Sequence, residues 1–122
     1  MCLDDSGLGM GLTAKSFHRL GVDVTVVEID PVVHRFAEEY FRLPRLNVCH
    51  DDGRRFVETS VLEGREWDFI IQDVFTGGSG PAHLYTVQMW TSVKSVLAEN
   101  GVLAVVGCFH FLTNTEPRWF DR

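Results

Sequence analysis

Gly7, Gly9, Gly11, Glu28, Asp52 and Asp73 are the residues of this 122-residue chain whose types and surroundings suit chemistry. The run Gly7-Leu8-Gly9-Met10-Gly11 opens a helical pattern, and a turn without Cβ atoms lets backbone come close to a ligand. Glu28 and Asp73 end apolar, strand-like runs, and Asp52 stands in the Asp51-Asp52-Gly53 turn after another. In an open parallel sheet, ligands occupy the crevice beyond the carboxyl ends of the strands, so these acids line one rim. Carboxylates there accept hydrogen bonds from hydroxyl and amino groups, and one beside an amine can orient it for attack. Plainer readings exist for each. Glu28 fits a solvated strand-end acid, the glycine run fits a helix-opening loop, and Asp52 fits a helix N-cap, a role compatible with ligand contact. Asp73 stands out because Thr76-Gly77-Gly78-Ser79-Gly80-Pro81 follows it, a loop composition that could act as a lid.

Positioning these residues takes a regular alternation of elements. The spacing predicts a helix over 12–20 with Leu12, Phe17 and Leu20 on one face, stopped at Gly21. Residues 22–29 are β-branched and nearly continuously apolar, as expected of a parallel strand covered on both faces. Pro31 suits a first helical position, and Val33, Phe36, Ala37, Tyr40 and Phe41 follow at helical spacing until Pro44 blocks continuation. Residues 46–50 predict a short strand, and a helix carrying Phe56, Val57 and Val61 then runs to Gly64. Residues 67–73 predict the next strand. Leu84, Val87, Trp90, Val93 and Leu97 predict one long helix over 83–99, stopped by Asn100-Gly101, with a last strand over 102–106. The order is that of an α/β unit. One domain over 1–106 is expected, with an irregular tail over 107–122.

Composition narrows the function classes. Lys plus Arg total 11 against 17 Asp plus Glu, for a formal charge of −6 and no basic run, which argues against nucleic acid as a partner. An acidic cleft would attract a small amine. Cys2, Cys49 and Cys108 are too few and irregularly spaced for a disulfide framework or a zinc site. His18, His34, His50, His83 and His110 show no metal spacing and read as surface or partly buried residues. The chain shows no secretory signal and no apolar run approaching the roughly 18 residues of a membrane span, so a cytoplasmic location without membrane contact is expected.

Together with the glycine turn, Val-Glu-Ile-Asp-Pro at 27–31, Asp-Asp-Gly at 51–53, Trp-Asp-Phe-Ile-Ile-Gln-Asp at 67–73 and Asn-Gly-Val-Leu-Ala-Val at 100–105 carry a family likeness. The sequence resembles the spermidine synthase-like branch of the class I S-adenosylmethionine-dependent transferases. The resemblance covers roughly residues 7–106 and implies a Rossmann-like parallel sheet of the methyltransferase type, with helices on both faces. It implies S-adenosylmethionine or decarboxylated S-adenosylmethionine as donor substrate, no metal, and transfer of a methyl or aminopropyl group to a small amine, such as a polyamine. By the same resemblance, Gly7, Gly9 and Gly11 would admit the amino-acid end of the donor, Glu28 would accept the ribose hydroxyls, Asp52 the adenine amino group, and Asp73 would receive or orient the attacking amine. A dinucleotide site would want glycine where Leu12 stands.

Departures from the family pattern bear on the acceptor. Synthases of this branch carry an aspartate in the glycine turn and a second one shortly after the Asp73 counterpart, where this chain has Met10 and Val74-Phe75-Thr76-Gly77. Paired-carboxylate binding of a diamine is therefore not expected. Only Met1 to Ser6 precede Gly7, so the central first strand is expected to be nearly missing, exposing ladder groups on both its neighbours. The alternative reading is thus a truncated, catalytically silent member that acts, if at all, by pairing exposed strands with another chain, including a second copy.

Overall fold

The computed structural model describes residues 2–3, 8–74 and 81–106. Gly7, the loop residues 75–80 and the tail 107–122 lie outside the described residues, and with them the readings placed there.

Among the described residues, five parallel strands alternate with four helices. The strands are β1 (Cys2–Leu3), β2 (Thr25–Val27), β3 (Asn47–Cys49), β4 (Trp67–Asp73) and β5 (Leu97–Val106), in the order β3-β2-β1-β4-β5. The helices are α1 (Leu12–Arg19), α2 (Pro31–Phe41), α3 (Gly53–Glu63) and α4 (Val87–Ser95), with a 3-10 turn over Ala82–Tyr85. Where the first strand was expected to be nearly absent, the described residues hold two residues of it, Cys2 and Leu3. It still ties the halves of the sheet together, since Cys2 pairs with Val26 and Ile71, and Leu3 with Val27 and Gln72.

Two apolar cores explain why the strands read as continuous hydrophobic runs. Successive side chains on a strand point to opposite faces, so a strand covered on both sides has no polar face to show. Val27 and Ile70 pack with Phe56 and Val57 of α3 and Met89 and Val93 of α4. Their neighbours Val26 and Ile71 pack on the other face, in the cluster holding Ala14 of α1 and Ala37 of α2. Each fully buried Val or Ile contributes about 1.5–3 kcal/mol relative to an exposed one.

Local signals set most boundaries. Asp30 caps α2, its Oδ1 accepting from the Val32 N–H at 2.8 Å, with Pro31 in the first turn. Gly64 closes α3 in the left-handed conformation. The helix faces are narrower than their apolar spacing predicts. Leu12 and Leu20 are exposed, and α1 instead turns buried Ala14 and half-buried Phe17 inward. Likewise Phe36, Tyr40, Phe41 and Val61 are exposed while Ala37 and Ser60 are buried. Each helix lies on one side of the sheet, so only the stripe that meets the strands is covered.

The long helix predicted over 83–99 is divided, and its end lies in the sheet. The Thr86 Oγ1 accepts the Met89 N–H at 3.2 Å, which caps α4 and separates it from the preceding 3-10 turn. At the other end the Val96 carbonyl accepts the Trp67 N–H at 2.8 Å and draws the chain into the ladder. Val87 is exposed, and Leu97 opposes Trp67 in β5. Asn100-Gly101 is therefore no helix stop. It lies inside an irregularity of the β4–β5 ladder, where Trp67 opposes Leu97 but Phe69 opposes Val102. A Cβ on Gly101 would come within 2.8 Å of Leu97 Cδ1 and 3.0 Å of the Ala98 carbonyl oxygen. Gly101→Ala is expected to cost about 1–2 kcal/mol through that crowding, readable as a lowered midpoint in urea unfolding. An unchanged midpoint would mean that the bulge relaxes freely.

Candidate functional site

Register brings Glu28 and Asp73 to one row. Val27 and Gln72 both oppose Leu3 of β1, so Glu28, the residue after β2, and Asp73, the last of β4, stand one step beyond that row on either side of the central strand. Strands lie about 4.8 Å apart, which puts their backbones roughly 10 Å from each other. This is the place where the strand order reverses, β2 leading outward to β3 and β4 outward to β5, and ligands of open α/β sheets bind at such a point. Continuing the strand alternation turns both side chains toward the α1/α2 face, opposite to Val27, Gln72 and Val74.

Glu28 is not the solvated strand-end acid of the plainer reading. It is fully buried, its Oε1 accepts the Asp30 N–H at 2.8 Å, and its own N–H donates to the Cys49 carbonyl at 3.0 Å. A buried carboxylate is costly unless hydrogen-bonded, so the local backbone is built around it. Asp73 is half-buried and opposes Val106 across the β4–β5 ladder.

Asp52 lies on the other side of the sheet as the N-cap of α3, where its Oδ1 accepts from the Arg55 N–H at 3.1 Å. Its Oδ2 is 3.1 Å from His83 Nε2, in the 3-10 turn. Partial burial pushes the Asp52 carboxyl up. The Arg55 N–H and the hydrogen bond and charge of His83 outweigh that and hold it below the usual value. The cap role and a ligand role are thus both open to Asp52, as its spacing before a helix allowed. His83 is the participant that sequence reasoning missed. Its only signal was its place just after the glycine-rich segment, and the predicted long helix hid that.

The glycine turn shapes the start of α1. Gly9 and Gly11 both have positive φ, and Gly11 occupies the N-cap in the left-handed region. No described side chain caps this helix and no acid lies in its first turn, so its leading N–H groups are not claimed by a carboxylate of the helix itself.

Two further features are a histidine pair on this same rim and a cleft at the opposite end of the strands. His34 Nδ1 and His50 Nε2 are 3.1 Å apart beside the ends of β2 and β3. Among the described residues no group of three or more His, Cys, Asp or Glu is arranged to hold a metal ion. An open cleft of about 260 Å³, with His18, Asp23 and Arg45 in its lining, is at the amino ends of β2 and β3, the far side of the sheet from Glu28 and Asp73. Among the described residues no helix is long and apolar enough to cross a membrane.

Comparison with known proteins agrees with this architecture. The chain is 40% identical to the N-terminal histidine N-methyltransferase of Emericella nidulans over 81% of its own length and 18% of that protein's. It is 37% identical to the polyamine aminopropyltransferase of Vibrio vulnificus, over 80% of this chain and 34% of the other. The chain thus spans about a fifth to a third of the length of these curated relatives. Human methyltransferase-like protein 13, solved in complex with SAH, superposes with a TM-score of 0.70 at 25% identity, over 84% of this chain and 52% of that one. The fold is the α/β, Rossmann-like methyltransferase fold. Residues 9–116 match the model of the spermine/spermidine synthase domain, and the chain belongs to that family.

Proposed function

We propose that this chain forms the donor-binding part of a transferase that takes S-adenosylmethionine and passes its methyl group to an amine. The observation that carries the methyl reading is the start of α1, where among the described residues no side chain caps the leading N–H groups and no acid lies in the first turn. Such a helix end suits an incoming carboxylate. S-adenosylmethionine carries one, and its decarboxylated form does not. The acceptor side points the same way. Met10 stands exposed in the glycine turn and Val74 is buried in the core, so neither supplies a second carboxylate for a diamine. The methyltransferase names of the Emericella relative and the human neighbour support this reading.

In this arrangement Gly7, Gly9 and Gly11 admit the amino-acid end of the donor, Glu28 accepts the ribose hydroxyls, and Asp52 accepts the adenine amino group. When bound, the sulfonium supplies a methyl carbon whose bond to sulfur breaks with both electrons left on sulfur. Asp73 holds the amine through an N–H so that its lone pair faces that carbon, and takes up the proton the nitrogen loses after the N–C bond forms.

Aminopropyl transfer from decarboxylated S-adenosylmethionine to a polyamine is the second reading, supported by the family and by the Vibrio relative. Calorimetric titration of the folded chain with 5′-methylthioadenosine, S-adenosylmethionine and decarboxylated S-adenosylmethionine separates the two. We expect all three to bind, S-adenosylmethionine at least about tenfold tighter than its decarboxylated form, as one charge-assisted carboxylate contact requires. The reverse order would favour aminopropyl transfer. A flat response to all three on folded protein would leave the non-catalytic reading, in which the exposed Val102, Val105 and Val106 of β5 pair with another chain.

A further inference from the structure

We propose that His83 is a positioning residue for the adenine side of this site, fixing the Asp52 carboxylate so that it selects a 6-amino purine over a 6-oxo purine. The assignment rests on the adenosyl reading above and deepens it. Asp52 divides its oxygens between two elements. Oδ1 is held at 3.1 Å by the Arg55 N–H of its own helix, and Oδ2 lies 3.1 Å from His83 Nε2 on a different segment. A carboxylate held at one oxygen still swings about its terminal bond, whereas one held at both keeps its remaining lone pairs in set directions. An amino group on the purine donates to such a lone pair. An oxo group at the same place presents an acceptor to an acceptor and is rejected.

His83 can do this because its turn is anchored from beneath. Gln72, buried and adjacent to Asp73 in β4, donates from Nε2 to the Leu84 carbonyl at 3.3 Å. Thr86 then caps α4 immediately after the turn. The imidazole therefore reaches Asp52 from a backbone fixed on the β4 side, and the contact joins the β4 end of the site to the α3 end. Arg55, which also pairs with Asp51, and Arg54, paired with Glu58, are the cations nearest along α3. Neither side chain is paired with the Asp52 oxygen that His83 approaches.

The test is calorimetric titration of the chain with 5′-methylthioadenosine and 5′-methylthioinosine, using H83F, H83Q, D52N and the double variant H83F/D52N, with thermal unfolding of each as a check on folding. H83F keeps the ring volume without the donor, and H83Q keeps a donor at similar reach. We expect H83F to weaken methylthioadenosine about tenfold and to lose most of the preference over methylthioinosine, the size of one hydrogen bond to a charged group. H83Q should stay within about threefold of wild type, and H83F should add little in the D52N background. If wild type binds methylthioadenosine and H83F retains both affinity and preference, or if the two substitutions add fully, the assignment of His83 is overturned while the adenosyl reading stands. Failure of the folded wild-type chain to bind methylthioadenosine would overturn the adenosyl reading and His83's role with it.

Discussion

Glu28→Ala is expected to weaken 5′-methylthioadenosine binding by roughly 10²–10³-fold, the cost of two hydroxyl hydrogen bonds to a charged acceptor. Glu28→Gln should lose only about tenfold, since the amide keeps one acceptor oxygen. Stability follows a different order. Oε1 of Glu28 holds the Asp30 N–H, just ahead of α2. Alanine removes the acceptor of that partly buried N–H bond, at about 0.5–1.5 kcal/mol, whereas glutamine can still accept it and removes a buried charge. The glutamine variant should therefore unfold at the wild-type temperature or above while binding less ligand. That separation distinguishes a ligand-facing carboxylate from one that only holds the β2–α2 turn. Unchanged binding by both variants, measured by calorimetry on folded protein, would remove Glu28 from the site.

Gly11→Ala should destabilise the fold by about 2–4 kcal/mol, from the left-handed backbone and from steric crowding together. Gly11 has φ +70°, and a Cβ there would come within 2.5 Å of Leu43 Cδ1. Leu43 is buried with Leu8, Ala14 and Ala37 in the core between α1, α2 and the sheet, so its methyl group cannot turn away into solvent. A chain of this length would lose on the order of 10 °C in melting temperature. Gly21→Ala is the control, because that glycine also has positive φ but meets nothing within 4 Å. It should cost about 1–2 kcal/mol, the backbone share alone. Equal losses at the two positions would show that the approach to Leu43 relaxes without cost.

Glu28 and Gly11 stand out in the order of residues, but the burial of the one and the approach of Leu43 to the other do not. The α/β alternation was legible because parallel strands covered on both faces leave long apolar runs, and the Asp30-Pro31 and Asp52-Gly53 starts and the Gly64 stop act locally. The family likeness rested on the same stretches. Legibility failed at 83–99, where Leu84, Val87, Trp90, Val93 and Leu97 keep helical spacing throughout. Leu97 nevertheless joins the ladder opposite Trp67, because a backbone hydrogen bond to a distant strand competes with the next helical turn. It failed too on the helix faces, where spacing alone cannot say which flank of an apolar stripe meets the sheet.

The sequence by itself determined the class of fold, the family, and which acids stand at the strand ends, since strand content, turn residues and caps depend on near neighbours along the chain. Tertiary structure alone decided that Glu28 is buried rather than solvated, that Glu28 and Asp73 share a row across a two-residue β1, and that His83 meets Asp52. Those facts depend on register and on packing between segments 31 to 45 residues apart, and no local pattern carries that information.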